Sequence, residues 1–261
     1  MNNYQIQAIN SNVYSINDPF DCTTYLIIGD QKAMVIDLGM NTSTSLLSII
    51  QKITTKELVV VLTHGHFDHC GHLKEFKEVY IDFEDFPCIE QQKENLPYLS
   101  NLKPLHHEMI FDLGNYIVKA IQTPGHTKGS VTFIDEKNHF LFTGDQFGSG
   151  CGVWMQVKEA LPLSLYAQSI DNFIQYLKTH YDFPFENWTY FGGHLGQEKT
   201  GKLGYNPLNS EMVQNLKILS ALLLEKKCPL SPSQAKSFTN KPSYYACYKN
   251  AEMIVAGKDF Q

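Results

Sequence analysis

Ten consecutive residues, Thr63 to His72, read Thr-His-Gly-His-Phe-Asp-His-Cys-Gly-His and hold four of the chain's ten histidines. Imidazole and carboxylate are ligands for zinc, iron and manganese. A His-x-His pair such as His64 and His66 can aim two imidazoles at one ion, while Asp68 and His69 serve a neighbour. Alone, such a stretch is equally a polar loop, so partners are required. Three short turns supply them: Thr-Pro-Gly-His ending at His126, Thr-Gly-Asp ending at Asp145, and Gly-Gly-His ending at His194. His64, His66, Asp68, His69, His126, Asp145 and His194 together give five imidazoles and two carboxylates. That is more than one four-coordinate ion can use. Two ions sharing one bridging carboxylate would use them all.

These residues must be carried by something rigid. Each group follows an apolar run with strand character: Val-Val-Val-Leu-Thr before His64, Ala-Ile-Gln-Thr before His126, Phe-Leu-Phe-Thr before Asp145 and Thr-Tyr-Phe before His194. If the strands around 117–143 form an antiparallel meander, the first and third run the same way. His126 and Asp145 then share one sheet edge. The wider pattern is a pair of strands followed by a helix, occurring twice. In the first half a hairpin about Asp30-Gln31-Lys32 precedes a helix with Leu46, Leu47, Ile50 and Ile53 at helical spacing and Thr42 or Ser43 as N-cap. In the second, Leu165, Ile170, Phe173, Ile174 and Leu177 mark a helix face. A last helix, with Met212, Leu216, Leu219 and Leu223 as its apolar stripe, stops at Cys228-Pro229. The expected organisation is one domain over 1–261, with 205–261 a helical extension packed on it.

At 261 residues and 43% hydrophobic content the chain can bury a large core. A formal charge of -6 leaves no basic footprint for nucleic acid or an anionic membrane. No apolar run is long enough to cross a bilayer. The first ten residues lack the charged and apolar regions of a secretory signal, and a cytoplasmic location is expected. The six cysteines, at 22, 70, 88, 151, 228 and 247, form no CxxC pair, which argues against a cysteine-built zinc knuckle. Reduced thiols are expected, with Cys70 singled out because it follows His69.

The ordered set resembles the metallo-β-lactamase-fold hydrolase superfamily. His64, His66, Asp68 and His69 match its HxHxDH motif, followed in order by His126, Asp145 and His194, and Asp37 in Val-Ile-Asp-Leu-Gly matches its early structural aspartate. The resemblance spans residues about 20 to 196. It implies an α/β fold, the four-layer αβ/βα sandwich. It further implies one ion on His64, His66 and His126 and a second on Asp68, His69 and His194, with Asp145 bridging. Two zinc ions per chain are expected, iron and manganese being compatible with the same ligands. Diiron oxygen reductases of this fold carry Glu where this chain has His66. The persulfide dioxygenases use a single iron. The sequence departs from many members at Cys70-Gly71-His72. His72 reads as a surface or helix-start histidine, or as a donor behind the ligands. His106, His107, His139 and His180 read as structural or exposed.

Such a site implies a hydroxide shared between the two ions that attacks a carbonyl. Asp68, the candidate catalytic residue, both holds the second ion and orients the nucleophile. The expected substrate is a small or mid-sized ester, thioester or lactone, with glyoxalase II-type enzymes as the familiar comparison. A phosphodiesterase or a β-lactam hydrolase on the same site is the alternative. From other classes, an iron-dependent redox protein or a non-catalytic metal-binding sensor remains open. Trp154 and Met155 are candidates for a pocket wall or for core, Phe86 and Tyr98 for an opposite wall, and Lys199 and Lys202 for holding a substrate carboxylate. The partner is a small molecule; oligomeric state is not readable.

Overall fold

The computed structural model describes residues 4–148, 152–195 and 208–257. Lys199 and Lys202 lie outside them. The first half builds a seven-stranded sheet in chain order: β1 (Gln5–Ala8), β2 (Val13–Asn17), β3 (Thr23–Ile28), β4 (Lys32–Ile36), β5 (Glu57–Val61), β6 (Val79–Ile81) and β7 (Leu102–Pro104). Pairing is antiparallel from β1 to β4 and parallel from β4 to β7. Between β4 and β5 lies α1 (Leu46–Ile50), and between β6 and β7 lies α2 (Phe86–Glu90). The N-cap of α1 is Ser45, whose hydroxyl accepts from the Ser48 amide at 3.1 Å, rather than the expected Thr42 or Ser43. The helix starts late because Thr42 is engaged with Tyr4 and His72 instead.

The second sheet runs β13-β11-β10-β9-β8, with β8 (Ile110–Asp112), β9 (Ile117–Gln122), β10 (Val131–Asp135), β11 (Phe140–Gly144), β12 (Val153–Met155) outside it, α3 (Leu163–His180) following, and β13 (Thr189–Gly192) at one edge. The meander of β9, β10 and β11 is antiparallel as expected, and β13 lies parallel to β11. The ends of β9, β11 and β13 therefore share an edge, and the ligand turns hang from it.

Both sheet faces are covered, so the strands are apolar on both sides. On β4, Met34 and Ile36 point between the sheets with Phe133, Val131 and Phe142, while Ala33 and Val35 pack beneath α1. The same period of two divides β11, where Phe142 enters the inter-sheet core and Leu141 packs under α3. Helices therefore lie outside each sheet, and the αβ/βα layering follows. On α3 the buried face is Leu163, Tyr166, Ile170, Phe173, Ile174 and Leu177. Leu165 is exposed, because the stripe with spacing three and four starts two residues earlier.

Beyond position 208 the chain is not helical alone. After α4 (Ser210–Leu224) come β14 (Ser231–Pro232), β15 (Ser243–Tyr248) and β16 (Ala251–Ala256). β12 joins them in a third sheet by pairing parallel to β16. The expected helical extension is thus half strand. Tyr-Tyr-Ala-Cys-Tyr and Glu-Met-Ile-Val-Ala flank a turn at Lys249, whose φ is 52°, and the hairpin they form covers the apolar flank of α4. Among the described residues no helix is long and apolar enough to cross a membrane.

Candidate metal centre

Strand β5 delivers Thr63 and His64 to the edge that faces β9, β11 and β13. The Val131 amide donates to the Thr63 carbonyl at 2.8 Å, tying the two sheets together at that point. The approach is tight. Gly144, at φ +51°, has no room for a side chain, since a Cβ there would lie 2.3 Å from the Thr63 hydroxyl. A Cβ on Gly193 would collide with Asp145 and His69. These two glycines let the last residues of β11 and β13 press against the histidine loop.

All seven ligand candidates are brought together. His64 Nε2 and His126 Nε2 lie 3.1 and 3.0 Å from His66 Nδ1. Nitrogens bound at about 2.0–2.1 Å to one tetrahedral ion stand about 3.3 Å apart, so this trio is nearly at coordination spacing. Asp145 sits between the trio and the rest. Its Oδ1 is 3.6 Å from His69 Nε2, and its Oδ2 is 3.3 Å from His194 Nε2 and 3.7 Å from His126 Nε2. Asp68 Oδ2 is 3.5 Å from His194 Nε2. A carboxylate reaching both histidine groups is placed as a bridge would be.

The rings are held from behind, as metal-ligating imidazoles usually are. His64 Nδ1 meets the Thr63 hydroxyl at 3.1 Å, which in turn donates to Asp37. His69 Nδ1 pairs with Asp37 Oδ2 at 2.9 Å, and His126 Nδ1 with the Trp154 carbonyl at 2.8 Å. Asp37, buried and at φ 63°, also accepts from the Thr63 amide. It therefore aligns both ends of the motif. Each ring is left with its other nitrogen aimed inward.

Two buried atoms in the cluster, His69 Nε2 and Asp145 Oδ1, have no hydrogen-bond partner. Leaving buried polar atoms unpaired costs about 1–3 kcal/mol each, and a cation between them removes that cost. Burial lowers His64 well below the usual imidazole value and lowers His126 to about 4, so both are neutral and available as ligands. For His69 and His194, burial opposes protonation, but the groups around them together outweigh it, Asp145 foremost, with Asp37 and Asp68 beside His69 and Cys22 and Asp68 beside His194, and both are raised well above that value. Asp145 is itself held well below the carboxylate range by those two rings, despite its burial. A cation would take over the role of those protons. The donor set and the unpaired atoms both fit zinc.

Above the cluster opens a cavity of about 480 Å³, with Phe67, Trp154, Val157 and Phe238 as its apolar walls. The Trp154 and Phe238 rings are tilted together, 6.2 Å between centroids. Strand alternation separates the two candidates on β12. Trp154 faces the cavity, while Met155 points into the core with Leu163 and Tyr166. Phe86 and Tyr98 pack against the core beneath the first sheet instead, and Cys88, Gln91 and Gln92 form the opposite wall. Alanine at the two β12 positions should therefore act differently. Trp154→Ala is expected to change substrate preference with metal content intact. Met155→Ala should cost about 2–5 kcal/mol of stability, measured by denaturant unfolding, and leave relative rates across substrates unchanged.

Three residues near the cluster carried no motif signal. Glu159 lies 3.6 Å from His66 Nε2, and Cys22 lies beside Asp68 and His194. Asp85, fully buried, accepts from the amides of Gly65 and Gly129 and from the Thr127 hydroxyl. It fastens the loop of His64 and His66 to that of His126. Cys70, singled out in the sequence, points away from the cluster. Its thiol donates to the His66 carbonyl and the Gln92 side chain, and burial pushes it well up. His72 is buried rather than exposed. It starts a short 3-10 turn and is held by Glu75 and Tyr4, so it serves packing. His106, His107 and His180 are exposed, and His139 stacks on Phe183.

Residues 17–194 match the family model described as the metallo-beta-lactamase superfamily. A probable polyketide biosynthesis zinc-dependent hydrolase of Bacillus velezensis is 34% identical over 122 residues, 40% of this chain and 48% of that protein. A hydroxyacylglutathione hydrolase of Bartonella henselae is 36% identical over 95 residues, 36% of each chain. The match thus spans less than half the length of these relatives. Among solved structures, an archaeal metallo-beta-lactamase superfamily protein from Sulfolobus tokodaii superposes with a TM-score of 0.56 at 21% identity, covering 88% of this chain and 91% of that one. A metallo-beta-lactamase from Pontibacter korlensis gives 0.56 at 16% identity, covering 73% and 91%.

Proposed function

The chain belongs to the metallo-beta-lactamase superfamily, and from that premise we propose that it is a binuclear metal-dependent hydrolase of a small or mid-sized ester, thioester or lactone. The observation that carries this reading is the convergence of five imidazoles and two carboxylates, two of their buried atoms unpaired, on the floor of an aromatic-walled cavity of about 480 Å³. His64, His66 and His126 would hold one ion and Asp68, His69 and His194 the other, with Asp145 shared. Zinc in such a pair supplies Lewis acidity and a nucleophile at neutral pH.

The chain's own residues do the rest. Phe67, Trp154 and Phe238 exclude water from an acyl chain and hold its carbonyl over the floor. Asp68 is the least buried of the two carboxylates. It orients the attacking water, accepts the proton that water loses, and passes that proton on to the departing sulfur or oxygen. The relatives named hydroxyacylglutathione hydrolase support a thioester, and the zinc-dependent polyketide hydrolase supports zinc. We also take 1–261 to work as one domain, because β12 in the site pairs with β16 near the described C-terminal end.

The test is elemental analysis of protein purified without added metal, followed by a panel of chromogenic esters, thioesters, lactones, β-lactams and phosphodiesters. Turnover of one of the first three, lost on chelation and restored by zinc, is the expected result. Turnover confined to phosphodiesters or β-lactams would overturn the substrate class. Stoichiometric iron with oxygen consumption would overturn hydrolysis itself.

A further inference from the structure

Part of the cavity wall comes from far along the chain. Phe238 lines the cavity, yet lies outside residues 17–194, which match the family model. It is carried by the loop 233–242 that joins β14 to β15. Its ring is half-buried and tilted against Trp154, and the Lys236 ammonium stands 5.1 Å from its centre.

The loop is braced from within. The Ala235 amide donates to the Ser233 hydroxyl, the Thr239 amide to the Ser237 hydroxyl and the Lys241 amide to the Thr239 hydroxyl, at 3.1 to 3.2 Å. At its base the Ser233 amide donates to the Ser243 carbonyl at 3.0 Å. Beside the cavity it is fastened to Gln156, directly after β12. The Phe238 amide donates to the Gln156 carbonyl at 3.1 Å, and Gln156 Nε2 donates to the Lys236 carbonyl at 3.4 Å. Gln156 is fully buried, and its Oε1 has no hydrogen-bond partner. Burial of an unpaired amide oxygen is unfavourable, so a leucine would suit the position at least as well. What leucine would lack is the tie to Lys236.

The walls differ in kind. Trp154 and Phe238 are apolar, whereas Gln91, Gln92 and Glu159 bring polar groups to the same cavity. An apolar group entering it is therefore drawn to the aromatic pair. We propose that Phe238 sets the length of the acyl group that the cavity accepts, and that Gln156 is the positioning residue that holds it beside Trp154. This rests on the reading of the chain as an acyl hydrolase and narrows it, to esters or thioesters of apolar carboxylic acids. Each methylene that leaves water against this wall should raise kcat/KM about fourfold, until the chain meets Phe238.

The test is a series of straight-chain acyl thioesters, acetyl to dodecanoyl, with one leaving group and zinc-loaded protein. The wild type is expected to rise with chain length to an optimum. In Phe238→Ala the optimum should move to longer chains, and in Phe238→Trp to shorter ones. Gln156→Leu should broaden the optimum and raise KM there by a larger factor than it lowers kcat. Bound zinc, measured on each variant, should match the wild type. A second measurement needs no turnover: calorimetric titration with the corresponding free carboxylic acids should give the same order of affinities and the same shifts. An optimum that stays in place in both Phe238 variants, by rate and by binding, would overturn the role of Phe238. A Gln156→Leu protein with the wild-type optimum and KM would overturn that of Gln156. Shifted acid binding without turnover of any thioester would overturn the hydrolase reading and leave Phe238 as the residue that measures the ligand.

Discussion

Replacing Asp145 by alanine is expected to lower metal content at both positions at once, and to abolish measurable turnover. Asp145 reaches both sides of the cluster, its two oxygens lying 3.3 to 3.7 Å from His69, His126 and His194. Loss of a mere hydrogen-bond partner behind a ligand costs about 10–100-fold in metal affinity. Loss of the shared ligand itself should cost more. The second readout is thermal. Binding confined to the native state stabilises it, by about 4 kcal/mol when free metal is a thousand times its dissociation constant. Chelation should therefore lower the melting temperature of the wild-type protein by several degrees. In Asp145→Ala the same treatment should change it little. A variant that keeps two ions and a full chelation shift would show that Asp145 bridges nothing.

Asp68→Asn separates holding a metal from moving a proton. The substitution keeps the side chain's size and one oxygen ligand but removes the charge. His64, His66 and His126 do not depend on it, so metal loss should be partial. The rate per bound metal pair should fall by about 100-fold or more, within the range that general acid–base groups contribute. Metal content and kcat measured on one preparation decide between the roles. If kcat per metal pair equals that of the wild type, Asp68 is only a ligand and another group carries the proton.

Much of the cluster could be read along the chain because each ligand group begins within four residues of a strand end, His64 after β5, His126 after β9, Asp145 after β11 and His194 after β13. The motif from His64 to His69 is local. His126, Asp145 and His194 each follow an apolar run and a glycine or proline turn, which is a local signal as well. The cavity walls were less legible. Trp154 and Met155 are neighbours in sequence, and which of them faces the cavity depends on the pairing of β12 with β16, about a hundred residues further on. Phe86 and Tyr98 were plausible wall residues by type, but α2 turns its apolar side to the core, and Cys88, Gln91 and Gln92 take the wall instead.

Cys22 and Glu159 escaped for a similar reason. Neither lies in a recognisable pattern, and each reaches the cluster through a contact between distant segments: the bridge from Cys22 to His194 and the approach of Glu159 to His66. The C-terminal strands are a different case. Their tyrosines, Ile254 and Val255 are residue types common in strands, but they follow a strong helical stripe that dominates the reading of the segment. Asp37 shows the opposite relation. A lone aspartate after β4 is a weak signal, yet its two oxygens align Thr63 and His69 together.

Whether one cluster holds two ions is decided by anomalous X-ray diffraction above the zinc edge from crystals of the zinc-loaded protein. Two peaks per chain are expected, one among His64, His66 and His126 and one beside Asp68 and His194, with the Asp145 carboxylate between them. A single peak in crystals of protein saturated with zinc, or two peaks with Asp145 in contact with neither, would contradict it.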